Sequence, residues 1–192
     1  EVFRNKAAVK YTVAEGLTFS AVLAYISMAQ QIFQEHYQLG EKFPLYFGGL
    51  ALVMMLASFV NSRLVEKLGM HLLVMRGAIV LFAASLVFLV IILLNDHSVP
   101  LWSFMIYAGM AYFCLGLLFG NMHSLAMEEV GHIAGVAASV VGSVSVLIAT
   151  VLGGIIGSFY NDSITPVVMG FGGLMLPIIY ISWRDRRDIS TS

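Results

Sequence analysis

Charge is what this sequence has least of. Only 11% of its 192 residues are Asp, Glu, Lys or Arg, against about a quarter in ordinary soluble domains. Apolar side chains make up 59%. A soluble domain of this size must still present a water-facing shell, and this chain lacks the polar residues to build one. No strongly basic stretch is present, so nothing points to a nucleic-acid partner, and a formal net charge of −1 identifies no other. A single cysteine, Cys114, excludes an internal disulfide framework. Enzyme signatures are missing as well: there is no helical histidine pair with an intervening glutamate, no Cys-x-x-Cys and no phosphate loop. Gly142-Ser143-Val144-Ser145 lacks the spacing of a nucleophile elbow. An intramembrane protease built on Ser143 or Ser145 with His123 is the one enzymatic arrangement left, and the serines read better as small packing residues. No span carries arginines at every third position, which argues against a voltage sensor. No cofactor or metal site is implied.

What is present is apolar sequence in long runs. A bilayer core of about 30 Å needs roughly 20 helical residues to cross it. Six stretches qualify, near residues 11–33, 44–65, 72–94, 99–127, 133–159 and 165–183. Short polar breaks with Gly40, Gly69, Asp96 and Pro100 separate them. The runs are continuous rather than alternating, which favours helices over barrel strands. The expected fold is therefore all-α, a polytopic membrane protein with six transmembrane helices in a single domain over residues 1–192. The first run is too long for a cleaved signal peptide and five more follow it. Glu1 in place of an initiator methionine reads as a trimmed chain or a piece of a longer one.

Orientation follows from lysine and arginine in the short loops. Arg4, Lys6, Lys10, Arg63, Lys67, Arg76, Arg184, Arg186 and Arg187 gather on one face, and only Lys42 of the ten basic residues lies on the other. Both termini are thus expected in the cytoplasm, in a cell (inner) membrane. Small residues four apart, as in Gly135 with Ser139, Ala138 with Gly142, Gly153 with Gly157 and Gly116 with Gly120, allow close helix contact. Gly170, Gly172 and Gly173 precede Pro177, which is expected to bend the last helix.

Polar residues at membrane depth are costly and single themselves out. Glu15 lies about one turn inside the first span, with Thr18, Val22 and Tyr25 on the same face. It reads either as an interfacial glutamate reaching headgroups or a nearby lysine, or as a proton- or cation-coupling group. Gln30 and Gln31, at the outer end, either bind a polar substrate group or mark the membrane boundary. Tyr107, Cys114 and Asn121 recur at seven-residue intervals and share one helix face. That set suits a ligand cavity, or packing against a neighbouring helix. His123 points nearly opposite to Asn121, as an interface residue or a proton relay. Met54 and Met55 offer an adaptable apolar wall, or plain packing.

The segment Ser62-Arg63-Leu64-Val65-Glu66-Lys67-Leu68-Gly69-Met70-His71 resembles the loop between the second and third helices of each half of major facilitator superfamily transporters. Ser62 stands for the motif's first glycine, Glu66 for its aspartate and Lys67 for its arginine; Gly69 is kept, and Met70 and His71 replace a basic pair. Ala24-Tyr25-Ile26-Ser27 resembles the seventh helix of the bicyclomycin-resistance type of drug/proton antiporter. The stretch 121–135, with Glu128 and the ending His132-Ile133-Ala134-Gly135, resembles that group's junction of the tenth and eleventh helices. The resemblance implies the C-terminal six-helix half of a twelve-helix secondary transporter, made of two inverted three-helix repeats. It also implies proton-coupled export of drugs or small amphipathic molecules (multidrug efflux by an antiporter). Spans one, two, four and five would line the cavity, three and six would face lipid, and the Glu66–Lys67 loop would latch the cytoplasmic side. Such a half needs lipid, substrate and protons, and either an N-terminal half or a second copy. The alternative is a non-transporting membrane assembly or partner-binding module.

Overall fold

The computed structural model describes residues 2–96 and 98–191, with side chains as far as Asp185. Glu1 and the side chains of Arg186 and Arg187 lie outside that set. Among the described residues there are six long helices: α1 (Lys6–Gln30), α2 (Phe43–Leu68), α3 (Met70–Leu94), α4 (Leu101–Met127), α5 (Ala134–Ser158) and α6 (Thr165–Thr191). No strand occurs among the described residues. Each helix has 25 to 27 residues, which at about 1.5 Å per residue exceeds a hydrocarbon core. The architecture is a polytopic membrane helical bundle.

Local chemistry sets the helix ends. The Asn5 side chain accepts a hydrogen bond from the Ala8 amide at 3.0 Å and caps α1. Pro44 occupies the first turn of α2, where its missing N–H costs nothing. Gly69 alone separates α2 from α3, at φ 76° and ψ 155°, a backbone that side chains disfavour. Pro100 caps α4. Pro177 lies inside α6, and the helix continues on both sides of it.

Three connections differ from the sequence-based expectation of simple loops. The break expected over 66–71 shrinks to Gly69, because Glu66 and Lys67 continue α2 and Met70 and His71 open α3. The break after Met127 is a 3-10 turn, Glu128–Ile133, so that helical backbone runs on through Leu101–Ser158 with a kink at Val130. Val130 is buried and pins this turn to the bundle. After Gln30 the chain continues as a π turn, Gln31–His36. Its wider winding carries Ile32 and Phe33, adjacent in sequence, into the core together.

Burial ranks the helices. In α1, 72% of the most apolar window is buried inside the bundle, against 11% in α2. Helix α1 is therefore the central element, packed against α5, α4 and α6, while α3 packs on α6 and α4, and α2 on α4. The most extensive contact is α1 with α5. A Cβ added at Gly153 would meet Leu23 Cβ at 2.9 Å and the backbone of Ala24 and Ser20 at 3.1 Å each. Gly116 brings α4 equally near α2, at 2.8 Å from Ala57 Cβ and 3.0 Å from the Met54 carbonyl. Gly135, Gly142, Gly154 and Gly173 instead face open space.

Candidate functional site: an aromatic groove and a buried carboxylate

A groove of about 380 Å³ opens between α1 and α2 and is backed by α4. Val22, Tyr25 and Ile26 form one wall, Phe47, Met54 and Met55 the other, and Tyr112 closes the back. Tyr25 organises it. Its ring lies nearly parallel to Phe47, at 5.9 Å between centroids and 9° between planes. Tyr112 meets it edge-on at 5.1 Å, and Phe33 at 6.3 Å. Offset and edge-on pairs of this kind fix ring orientation by their quadrupoles. The Tyr25 side chain is buried, yet its hydroxyl has no hydrogen-bond partner among the described residues. A buried donor left unmatched is destabilising by about 1–3 kcal/mol. Three residues singled out from the sequence, Tyr25, Met54 and Met55, are thus brought to one place.

Glu15 lies two turns before Val22 on α1, about 10 Å along the axis. It is buried, at 2% exposure. One oxygen, Oε1, is 3.0 Å from Nδ1 of His123 on α4. Its other oxygen, Oε2, is buried without a partner. The interfacial reading of Glu15, reaching headgroups or a lysine, does not fit this geometry. The carboxylate points into the bundle because α1 is central, and the residue bound to it is histidine. Thr18, on the same stripe, turns its hydroxyl back to the Ala14 carbonyl at 2.9 Å.

The other candidates are dispersed. Tyr107 is stacked on Phe88 at 4.5 Å and 1°, and its hydroxyl is 2.9 Å from Ser85 Oγ, so it faces α3. Cys114 is buried, with its carbonyl on the side of Gly77 in α3. Asn121 donates to Asn61 of α2 at 2.7 Å and to the Leu117 carbonyl at 2.7 Å. The seven-residue face is therefore covered by α3 along part of its length and by α2 near its end. None of the three lines the α1–α2 groove. Gln30 is exposed at the end of α1, and Gln31 keeps a buried amide oxygen without a partner. Ser62, Glu66, Lys67 and Gly69 are all exposed; Ser62 bonds the Phe59 carbonyl at 2.7 Å. No ion pair joins Glu66 or Lys67 to another described residue. Ser145 is buried and donates to the Thr12 carbonyl at 3.2 Å, an α1–α5 contact.

Sequence reasoning missed two features. Asn61 carries no motif, and only its polarity within an apolar run marks it. Asp185 binds both Lys10 and the Tyr11 hydroxyl, while that hydroxyl also lies 3.0 Å from His71 Nδ1. This cluster ties the ends of α1, α3 and α6 together. Asp185 sits in a run of charged residues, where nothing distinguishes a buried anchor from a solvated tail.

Among known proteins, the chain is similar to the bicyclomycin resistance protein homolog of Haemophilus influenzae, at 25% identity over 179 residues. The match covers 91% of this chain and 44% of that protein, so the chain spans less than half the length of its relative. No family model and no solved structure matches. The likeness falls on nearly the whole bundle and belongs with a multi-pass membrane protein related to a drug-resistance protein.

Proposed function

We propose that this chain is the C-terminal six-helix half of a secondary transporter of the major facilitator type, exporting small amphipathic molecules in exchange for protons by alternating access. The observation that carries the reading is the Tyr25 groove: aromatic and methionine walls between α1 and α2, with Ser58 on the rim. Such surfaces hold varied apolar bodies while offering few polar contacts. The similarity to a bicyclomycin resistance protein supports the same reading. In it, Tyr25 and Met54 contact substrate, Gln30 marks the outer mouth, and Glu15 is the coupling carboxylate. Tyr107, Cys114 and Asn121 hold α4 in place behind the cavity.

The exposed apolar faces of α2 (Leu52, Met55, Leu56, Phe59) and α5 (Val146, Leu147, Val151, Ile155) support a further six-helix body opposite the groove, an N-terminal half or a second copy. Gly48 and Gly49 on α2, with Gly135, Gly142 and Gly154 on α5, leave those faces open to close approach. Glu66 and Lys67, in the last turn of α2 rather than in a loop, are exposed and without an internal ion pair among the described residues, and in this reading they pair with that body on the cytoplasmic side.

The test is dye efflux from cells expressing the gene, with and without an uncoupler. Proton-gradient-dependent efflux of at least part of an amphipathic panel is expected. Uncoupler-insensitive retention of every dye, together with a stable crosslinked complex with an unrelated membrane protein, would favour the assembly-module reading instead.

A further inference from the structure

The Glu15–His123 contact joins groups of unequal exposure: the His123 side chain is 42% exposed and that of Glu15 is 3% exposed. One end of the pair therefore meets the surroundings and the other is sealed in the bundle. The sealed end is incomplete. Oε2 of Glu15 has no partner among the described residues, and an anionic carboxylate with a bare buried oxygen is unfavourable unless its charge is matched.

The charges around α1 leave His123 as the residue bonded to this carboxylate. Helix α5, the closest neighbour, contributes no titratable residue over Ala134–Ser158; it sets Ile148 against Gly16 and Ser145 against the Thr12 carbonyl. On α6, Asp185 is held by Lys10 and Tyr11 of α1. In the turn between α4 and α5, Glu129 accepts from Asn5 at 2.7 Å. Glu128 acts electrostatically on Tyr11 and His71, and His132 is the third ionisable group of that turn.

We infer that Glu15 and His123 form one proton-binding site across α1 and α4, with His123 as the entry residue. With its proton on Nδ1, the His123 imidazole takes a proton from water at Nε2 on its exposed side and gives the Nδ1 proton to Oε1. The products are a neutral imidazole, now protonated on Nε2, and a neutral carboxyl. The net change is one proton bound from solution and one buried anion removed. Protonation thus relieves the unmatched oxygen, and loss of the proton restores the charge between α1 and α4. The use of this site for coupling rests on the transport reading; its existence as a proton site does not.

Infrared difference spectroscopy of the purified chain in lipid nanodiscs, between alkaline and acid pH, tests it without transport. A carboxyl C=O band is expected on acidification, lost in Glu15→Gln and kept in Glu128→Gln. His123→Gln removes the imidazole bonded to Oε1, so the band should shift in frequency. A band that persists in Glu15→Gln, or a frequency unmoved in His123→Gln, overturns the site. If Glu15→Gln does not reach the membrane, Glu15→Asp is read instead: a frequency-shifted band supports the site and an unshifted one overturns it. A normal titration with no substrate-linked proton movement in cells keeps the site and removes the transport reading.

Discussion

Asn121 illustrates what a residue's neighbours decide. Its position on a face with Tyr107 and Cys114 is legible from the seven-residue spacing, because helical period fixes which side chains share a side. What covers that face is not legible, since no spacing encodes the partner helix. The structure supplies Asn61 as the partner at 2.7 Å. Amide pairs between membrane helices contribute about 0.6 kcal/mol on average and up to about 1.7. A double-mutant cycle of Asn61→Ala and Asn121→Ala, read by steric-trap or detergent unfolding, should give a coupling energy in that range. A coupling indistinguishable from zero would show that the contact does not hold α2 to α4. Glu15 follows the same logic: its depth could be read from the sequence, but its histidine lies on another helix 108 positions away.

At the scale of the helices, small residues in α5 are visible in the sequence and their roles are not. Gly153 and Gly142 look alike in the chain. Gly153 lies against the backbone of α1, with Ala24 N and Ser20 O both 3.1 Å from an added Cβ, while Gly142 faces open space. Backbone cannot rotate away as a side chain can, so Gly153→Ala must push the helices apart. The expected cost is about 1–3 kcal/mol, and Gly142→Ala in the isolated chain should fall within about 0.5 kcal/mol of wild type. Thermal unfolding in one detergent compares the two, and equal midpoints would contradict the α1–α5 packing. The π turn Gln31–His36 belongs to the illegible part too. It exists because Ile32 and Phe33 both find the core, a tertiary demand that overrides local pattern.

For the molecule as a whole, composition and run length were sufficient to imply a membrane helical bundle, and basic-residue bias implies its orientation. The central place of α1 was not readable. Lipid and a neighbouring helix are equally apolar, so hydropathy cannot separate the 72% buried α1 window from the 11% buried α2 window. Cysteines introduced at Lys42 and Lys67 in a Cys114→Ser background test the orientation. A membrane-impermeant maleimide applied to whole cells should label the Lys42 position and spare the Lys67 position. The reverse pattern would invert the topology.

The groove remains the feature on which the functional reading turns. Tyr25→Phe keeps the ring stack with Phe47 and removes only the unmatched hydroxyl. Tyr25→Ala removes both. Energised efflux of a fluorescent amphipathic dye from cells expressing each variant is the direct measurement. Wild type should export the dye and lose that ability with an uncoupler. Tyr25→Phe should retain export, because the hydroxyl is sealed away from the groove, and Tyr25→Ala should abolish export while the protein still reaches the membrane. Unchanged efflux in Tyr25→Ala at equal membrane abundance would contradict the assignment of this groove to substrate.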